Sequence, residues 1–303
     1  MRSLIKGIKI FVLVFSLLLM GYILFRQWEQ IKAYSFSINS PLFIISLFTM
    51  TLCIFLGAIG WHYILKAMGE TQHMMTDIKI WALSSMTRYL PGGLWGHVSR
   101  AALCKEQGIS LSTAIFALYL EIFLVFLASF VIGLPAASSI TDHSVSLKYL
   151  FVAAIIACLL IHPRFLALIK YLPAKVSKYT RNIVIPSTGK LFFLYLYYLV
   201  FLIIYGIAFL LFVSSLLPLA SKYWLVTASV FPLAFCIGFI LIIFPSGIGI
   251  RESMIYLFML NIIGPEASLI VSIGSRLWTI LAEIVFLILV YILINRKKLK
   301  QPN

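Results

Sequence analysis

This chain predicts an all-α, polytopic integral membrane protein with about six to eight transmembrane helices, and three observations lead there. Of its 303 residues, 62% are hydrophobic and only 11% charged, where a soluble domain carries roughly a quarter charged residues. Seven apolar runs, near 8–25, 41–65, 111–134, 147–162, 192–217, 223–244 and 267–294, are mostly long enough to cross about 30 Å of hydrocarbon. None alternates in the way a barrel strand would. With no water in the membrane to satisfy the backbone, such runs must be helices.

Taken in order, residues 1–25 have the basic start and apolar stretch of a signal peptide, but no small-x-small cleavage site follows. The bulky, polar "LFRQWEQ" comes next, so the segment reads as an uncleaved first span. The net charge of +15 is not spread evenly. It gathers at Arg2, Lys6 and Lys9, in the 163–191 loop (Arg164, Lys170, Lys175, Lys178, Arg181, Lys190) and in the tail "NRKKLK". Basic residues in short segments beside spans mark the cytoplasmic side, with a secondary attraction to anionic lipid heads. Both termini are therefore expected in the cytoplasm and the chain in the cell's inner, cytoplasmic membrane. Nucleic acid is excluded as a partner. The loop "PAASSITDHSVS" at 135–146 has no Lys or Arg and reads as external.

These sides agree only if two segments return to the face they left. Residues 78–108 must begin and end in the cytoplasm, and residues 223–266 must begin and end outside. Each contains a Pro/Gly break, "LPGGLWG" at 90–96 and "FPSGIGI" at 244–250. The first is flanked by "IKIWALSSM" and the second is followed by "SMIYLFMLNII", both too short to span. A re-entrant hairpin fits 78–108. For 223–266 a hairpin and a pair of broken spanning helices give the same parity. The whole chain, 1–303, then reads as one transmembrane domain. Its halves, about 1–146 with a break at 88–100 and about 147–303 with a break at 244–252, form an inverted repeat. Broken helices in matching positions point to a transport site near the midplane.

Seven ionisable residues lie in or beside apolar territory: Arg88, Arg100, Glu121, Arg251, Glu252, Arg276 and Glu283. Each costs about 3 kcal/mol at the bilayer centre unless it pairs, faces a wet cavity or binds a ligand. Arg276 and Glu283, seven residues apart, share a helix face. Arg276 with Glu283 or Glu121, and Arg251 with Glu252, read either as internal salt bridges or as part of a site. In the second reading, helix starts after each break aim N–H groups into a cavity. Four arginines against three glutamates would add positive charge suited to a phosphate. Glu121, Glu252 and Glu283 would balance the arginines and carry coupling protons. His97, beside the first break, reads as a satisfied structural residue or as a headgroup donor or proton relay. Trp81, Trp95 and Trp278 read as interfacial anchors or cavity walls, and Tyr195, Tyr197, Tyr198 and Tyr205 as a packing or lipid-facing surface. Cys53, Cys104, Cys158 and Cys236 show no metal-type spacing, so neither disulfide, metal nor other cofactor is expected.

"RYLPGGLWGHVSR" (88–100) and "FPSGIGIRES" (244–253) resemble the two signature breaks of the lysylphosphatidylglycerol synthase/flippase membrane-domain family. The resemblance rests on Tyr89, Leu90, Pro91, Gly92, Trp95 and Arg100, then on Pro245, Gly247, Gly249, Arg251 and Glu252, and it covers essentially the whole chain. It implies a protein that translocates lipids, with Arg88, Arg100, Arg251 and Arg276 holding an anionic head on a phospholipid or a polyprenyl-linked carrier. The aminoacyl transfer of that family resides in a separate soluble domain, which this chain is not expected to carry. No catalytic activity is therefore expected. Two alternatives stay open: a transferase using a lipid-linked donor, with Glu29 as its base, and a non-transporting partner of a cell-envelope glycan or lipid synthase.

Overall fold

The computed structural model describes residues 38–89, 95–137, 183–240 and 250–298, and there the chain forms eight α-helices. They are α1 (Ser40–Ala67), α2 (Met74–Ser85), α3 (Trp95–Glu106), α4 (Leu111–Ala137), α5 (Thr188–Leu216), α6 (Trp224–Ile240), α7 (Ile250–Ile263) and α8 (Pro265–Lys298). No strand occurs among the described residues. The all-α expectation holds. The first span (8–25), the 147–162 run, most of the 163–191 loop and the residues of the second break at 244–249 lie outside the described residues.

Local chemistry sets the helix ends. The Asn39 side chain accepts from Leu42 N–H, and Pro41 enters where its missing N–H costs nothing, so α1 starts there. α1 stops at Gly69, whose φ of +91° opens the left-handed region, and Glu70 N–H closes back on Leu65 O. α3 stops the same way at Gly108, with Ile109 N–H bonding Cys104 O. The His73 ring caps α2 by accepting from Met75 N–H. In the long helices, Ser and Thr hydroxyls bond carbonyls three or four residues back, as Ser46 does to Phe43 O and Thr279 to Ser275 O. This satisfies them where no water reaches.

Five stretches are long and apolar enough to cross a membrane: α1, α4, α5, α8 and residues 221–238, which include most of α6. α2 and α3, at 12 residues each, are about 18 Å long and cannot span. The order is therefore long, short, short, long (α1–α4), then long, two shorter helices, long (α5–α8). α1 and α5 run antiparallel along their whole length. Asn39 N–H bonds Ser215 O at one end, the Tyr197 hydroxyl donates to Leu56 O in the middle, and Lys190 Nζ reaches Ala67 O at the other. Tyr197→Phe should lower stability by about 1 kcal/mol, read as a lower unfolding temperature in detergent.

α6 wedges against α4 and α5. Leu233 fills the space above Gly133, and the backbone of Ala228 presses on Gly206. An aromatic stack, Phe209 on Phe231 at 4.8 Å and Phe212 on Trp278 at 4.9 Å, locks α5, α6 and α8 together. Trp278 is thus an interior packing residue, not an interfacial anchor. α8 closes the ring, with Phe286 meeting Phe55 of α1 and Trp81 of α2.

Candidate functional site

A cavity of about 240 Å³ lies in the middle of this ring. Its walls come from residues 50–57 of α1, 121–126 of α4, 198–205 of α5 and 276–283 of α8, the central turns of each long helix. Most of the lining is apolar, including Ile54, Ile122, Phe126, Leu202 and Phe235. The charged groups stand at two poles.

The first pole is built by the α2–α3 hairpin. Arg100 NH1 donates to Glu121 on α4 at 2.6 Å, and its Nε donates to Ser84 of α2 at 3.2 Å. The guanidinium carbon also stands 5.0 and 5.3 Å from the ring centroids of Trp61 and Trp81. Such stacking stabilises a cation most where water is excluded. Arg100 is therefore held by an acid, a hydroxyl and two indoles. Beside it, Gly96 and His97 in the first turn of α3 line the cavity. The Thr87 hydroxyl links to Trp95 O and to the Ser99 hydroxyl, tying the two arms of the hairpin across the break.

The second pole belongs to α7 and α8. Arg276 NH1 donates to Glu252 at 2.8 Å. Arg251, in the first turn of α7, stands only 4.0 Å from the same carboxylate. Its Nε makes no hydrogen bond, and its guanidinium carbon is 5.1 Å from the Phe231 ring centroid. Gly238 lets α7 come this close, since a Cβ there would sit 3.3 Å from Arg251 Cβ. Arg251 and Arg276 both face the cavity, as do Thr279 and Glu283 of α8.

The structure thus brings together Arg100, His97, Glu121, Arg251, Glu252, Arg276 and Glu283. The pairing differs from the sequence expectation. Arg276 bonds Glu252 on the neighbouring helix, not Glu283 or Glu121, because seven residues along one helix is a rise of about 10 Å. Trp95 turns outward and is 49% exposed, away from the cavity walls. Trp81 is a cavity wall. Tyr198 and Tyr205, expected as a packing or lipid-facing surface, are buried and line the cavity. The expected excess of positive charge is not found among the described residues, where Arg100, Arg251 and Arg276 face Glu121, Glu252 and Glu283. The fourth arginine, Arg88, has its side chain outside the described residues, as does Tyr89. Leu90, Pro91, Gly92, Pro245, Gly247 and Gly249 lie outside them entirely.

Sequence reasoning passed over Ser84 and a buried His62–Asp77 pair. Only the i, i+4 and i, i+7 spacing of Asp77, Trp81 and Ser84 signals a shared face of α2. Among the described residues no three His, Cys, Asp or Glu side chains gather as a metal site.

Chemically, the arrangement is a mid-bundle chamber with an apolar wall, two helix starts facing it and one arginine with a donor to spare. Comparison with curated proteins returns no match. The family model described as the lysylphosphatidylglycerol synthase TM region matches residues 8–288, nearly the whole chain, and the protein belongs to that family.

Proposed function

We propose that this protein is a lipid flippase or transporter that moves a phosphate-bearing anionic lipid, a phospholipid or a polyprenyl-linked one, across the cytoplasmic membrane. The observation that carries the reading is the convergence of two post-break helix starts on one cavity at mid-depth. The first turn of α3 supplies Gly96 and His97, and the first turn of α7 supplies Arg251. Helix starts present unbonded N–H groups and positive dipole, which suit an anion. Arg251 adds a guanidinium whose Nε makes no hydrogen bond.

The volume suits a headgroup and the first carbons behind it, and the apolar wall suits those carbons. The acyl or prenyl tails would stay in the bilayer. The paired charges keep the chamber near neutrality, which lowers the cost of holding arginines at that depth. The reading needs no nucleophile, and no covalent step is assigned to any residue. Membrane lipids are the partners it calls for, and a cell-envelope glycan or lipid synthase would supply or consume them.

The end where α1 stops and α5 starts carries Lys66, Lys105 and Lys190, and α8 runs toward it with Arg296, Lys297 and Lys298 at its tip. On the positive-inside rule that end is the cytoplasmic one.

The test is headgroup accessibility in vesicles holding the purified chain and a trace of fluorescent phosphatidylglycerol or polyprenyl phosphate. Wild type should expose inner-leaflet probe to an external quencher. Arg251→Gln should slow this about tenfold, the equivalent of about 1.4 kcal/mol in the binding step. Equal rates for wild type, Arg251→Gln and protein-free vesicles would sink the proposal.

A further inference from the structure

Between the cavity and the α1–α5 end that carries the lysines lies a buried acid–base pair with no part in holding a headgroup. His62 Nδ1 of α1 and Asp77 Oδ2 of α2 are 2.7 Å apart. Asp77 is 1% exposed, and its other oxygen, Oδ1, has no hydrogen bond. A buried carboxylate with an unused oxygen is costly unless something binds there. Two further polar atoms of this region, Trp61 Nε1 and Gln72 Oε1, also lack partners.

The pair sits one helical turn from the first pole. Trp61 precedes His62 in the chain and Trp81 follows Asp77 by one turn. These are the two indoles that flank Arg100. The ionisable groups around it come from several elements. Tyr63 on α1 meets the His62 ring. Lys66 and Lys79 point outward. His73 and Glu70 lie in the connection before α2 and at its cap, and Arg100 and Cys104 come from α3. Lys190 of α5 is anchored on Ala67 O.

We propose that His62 and Asp77 form a proton-binding site that couples proton movement to lipid movement in the cavity; this rests on the transport reading above. A separation of 2.7 Å is the length of a short hydrogen bond, with a proton on the line between nitrogen and oxygen. A proton is the ligand that fits. With Nε2 protonated and one further proton on the line between Nδ1 and Oδ2, the pair is an imidazolium facing a carboxylate and ties the start of α2 to α1. One more proton, taken from water onto Asp77 Oδ1, leaves a neutral carboxyl facing the imidazolium and removes the charge attraction between the helices. α2 carries Trp81 and Ser84, both in contact with Arg100. Loosening α2 therefore relaxes the Arg100–Glu121 pole and opens the cavity toward the lysine-rich end. Release of that proton on the other side of the membrane resets the tie. Only N–H and O–H bonds change, and a transmembrane proton gradient supplies the drive.

The experiment uses the full chain in vesicles of phosphatidylglycerol and phosphatidylethanolamine, with fluorescent phosphatidylglycerol as probe, with and without an imposed pH step. Wild type should move lipid several-fold faster under the gradient. Asp77→Asn and His62→Gln should each lose that stimulation, whereas Arg251→Gln should slow movement yet keep the ratio of the two rates. In parallel, the ¹⁵N imidazole resonances of His62 should move in Asp77→Asn, which reports the loss of the Nδ1–Oδ2 contact in the folded protein. If one variant fails to fold, the other variant and the wild-type response to the gradient carry the test. Lipid movement that ignores the gradient, or an unchanged ratio in both pair variants, overturns the coupling while leaving transport standing. A wild-type protein that moves no lipid overturns both.

Discussion

Replacing Arg100 by methionine should cost about 3–5 kcal/mol of stability, because it leaves Glu121 buried and uncompensated in the centre of the bundle. Arg100 is 4% exposed and Glu121 9% exposed, so water cannot take over the lost bond. The same change removes the donor to Ser84 and the cation between Trp61 and Trp81. The α2–α3 hairpin then loses its main polar attachment to α4. Removing both charges is a different matter. Arg100→Met with Glu121→Leu leaves no orphan charge, and the double variant should recover most of the loss. Thermal unfolding of the purified single and double variants in one detergent measures the coupling. A double variant as unstable as the sum of its singles would show that the pair is not what holds the hairpin.

Substituting Gly206 by alanine should be nearly as damaging, through sterics alone. A Cβ at this position would collide with the backbone carbonyl oxygen of Ala228. Backbone cannot rotate out of the way, so α5 and α6 must separate. Overpacking of this kind typically costs 1–3 kcal/mol or more, and here the displaced helix also carries Phe231, which stacks on Phe209. Small residues at helix crossings let backbones approach in the membrane, where close packing holds helices together. Gly189, in the first turn of the same helix, is the control, with nothing within 4 Å of its added Cβ. Gly189→Ala should be neutral or slightly stabilising, while Gly206→Ala should lower both the folded yield and the unfolding temperature. Equal behaviour of the two would remove the close crossing from the account.

Both effects sit on features that the chain discloses unequally. The positions of the spans were legible because hydrocarbon demands long apolar runs. The short pieces "IKIWALSSM" and "SMIYLFMLNII" were legible as non-spanning because their length falls short of the bilayer. The roster of intramembrane charges was legible because each is costly enough to need a reason. From these alone came the long, short, short, long order and the expectation that Arg100, Glu121, Arg251, Glu252, Arg276 and Glu283 matter.

Which of them meet was not legible. A helix such as α5 is apolar on every side, and in lipid its outward and inward faces obey the same preference. The periodicity that orients a soluble helix is therefore missing. Tyr197 bonds the Leu56 carbonyl while its neighbour Tyr198 lines the cavity, and the string of tyrosines gives no warning of the difference. Arg276 looked like a partner for Glu283 on its own helix, and found Glu252 across a helix contact instead. His62 and Asp77, fifteen residues apart, meet only because Gly69 ends α1 and lets the chain double back into α2.

Composition and span length thus settled the class, the solvent and the list of charged residues, since those follow from the cost of putting each residue into hydrocarbon. Rotation and register of the helices settled the pairs, the cavity and the proton site. Those depend on packing between faces that lipid does not distinguish.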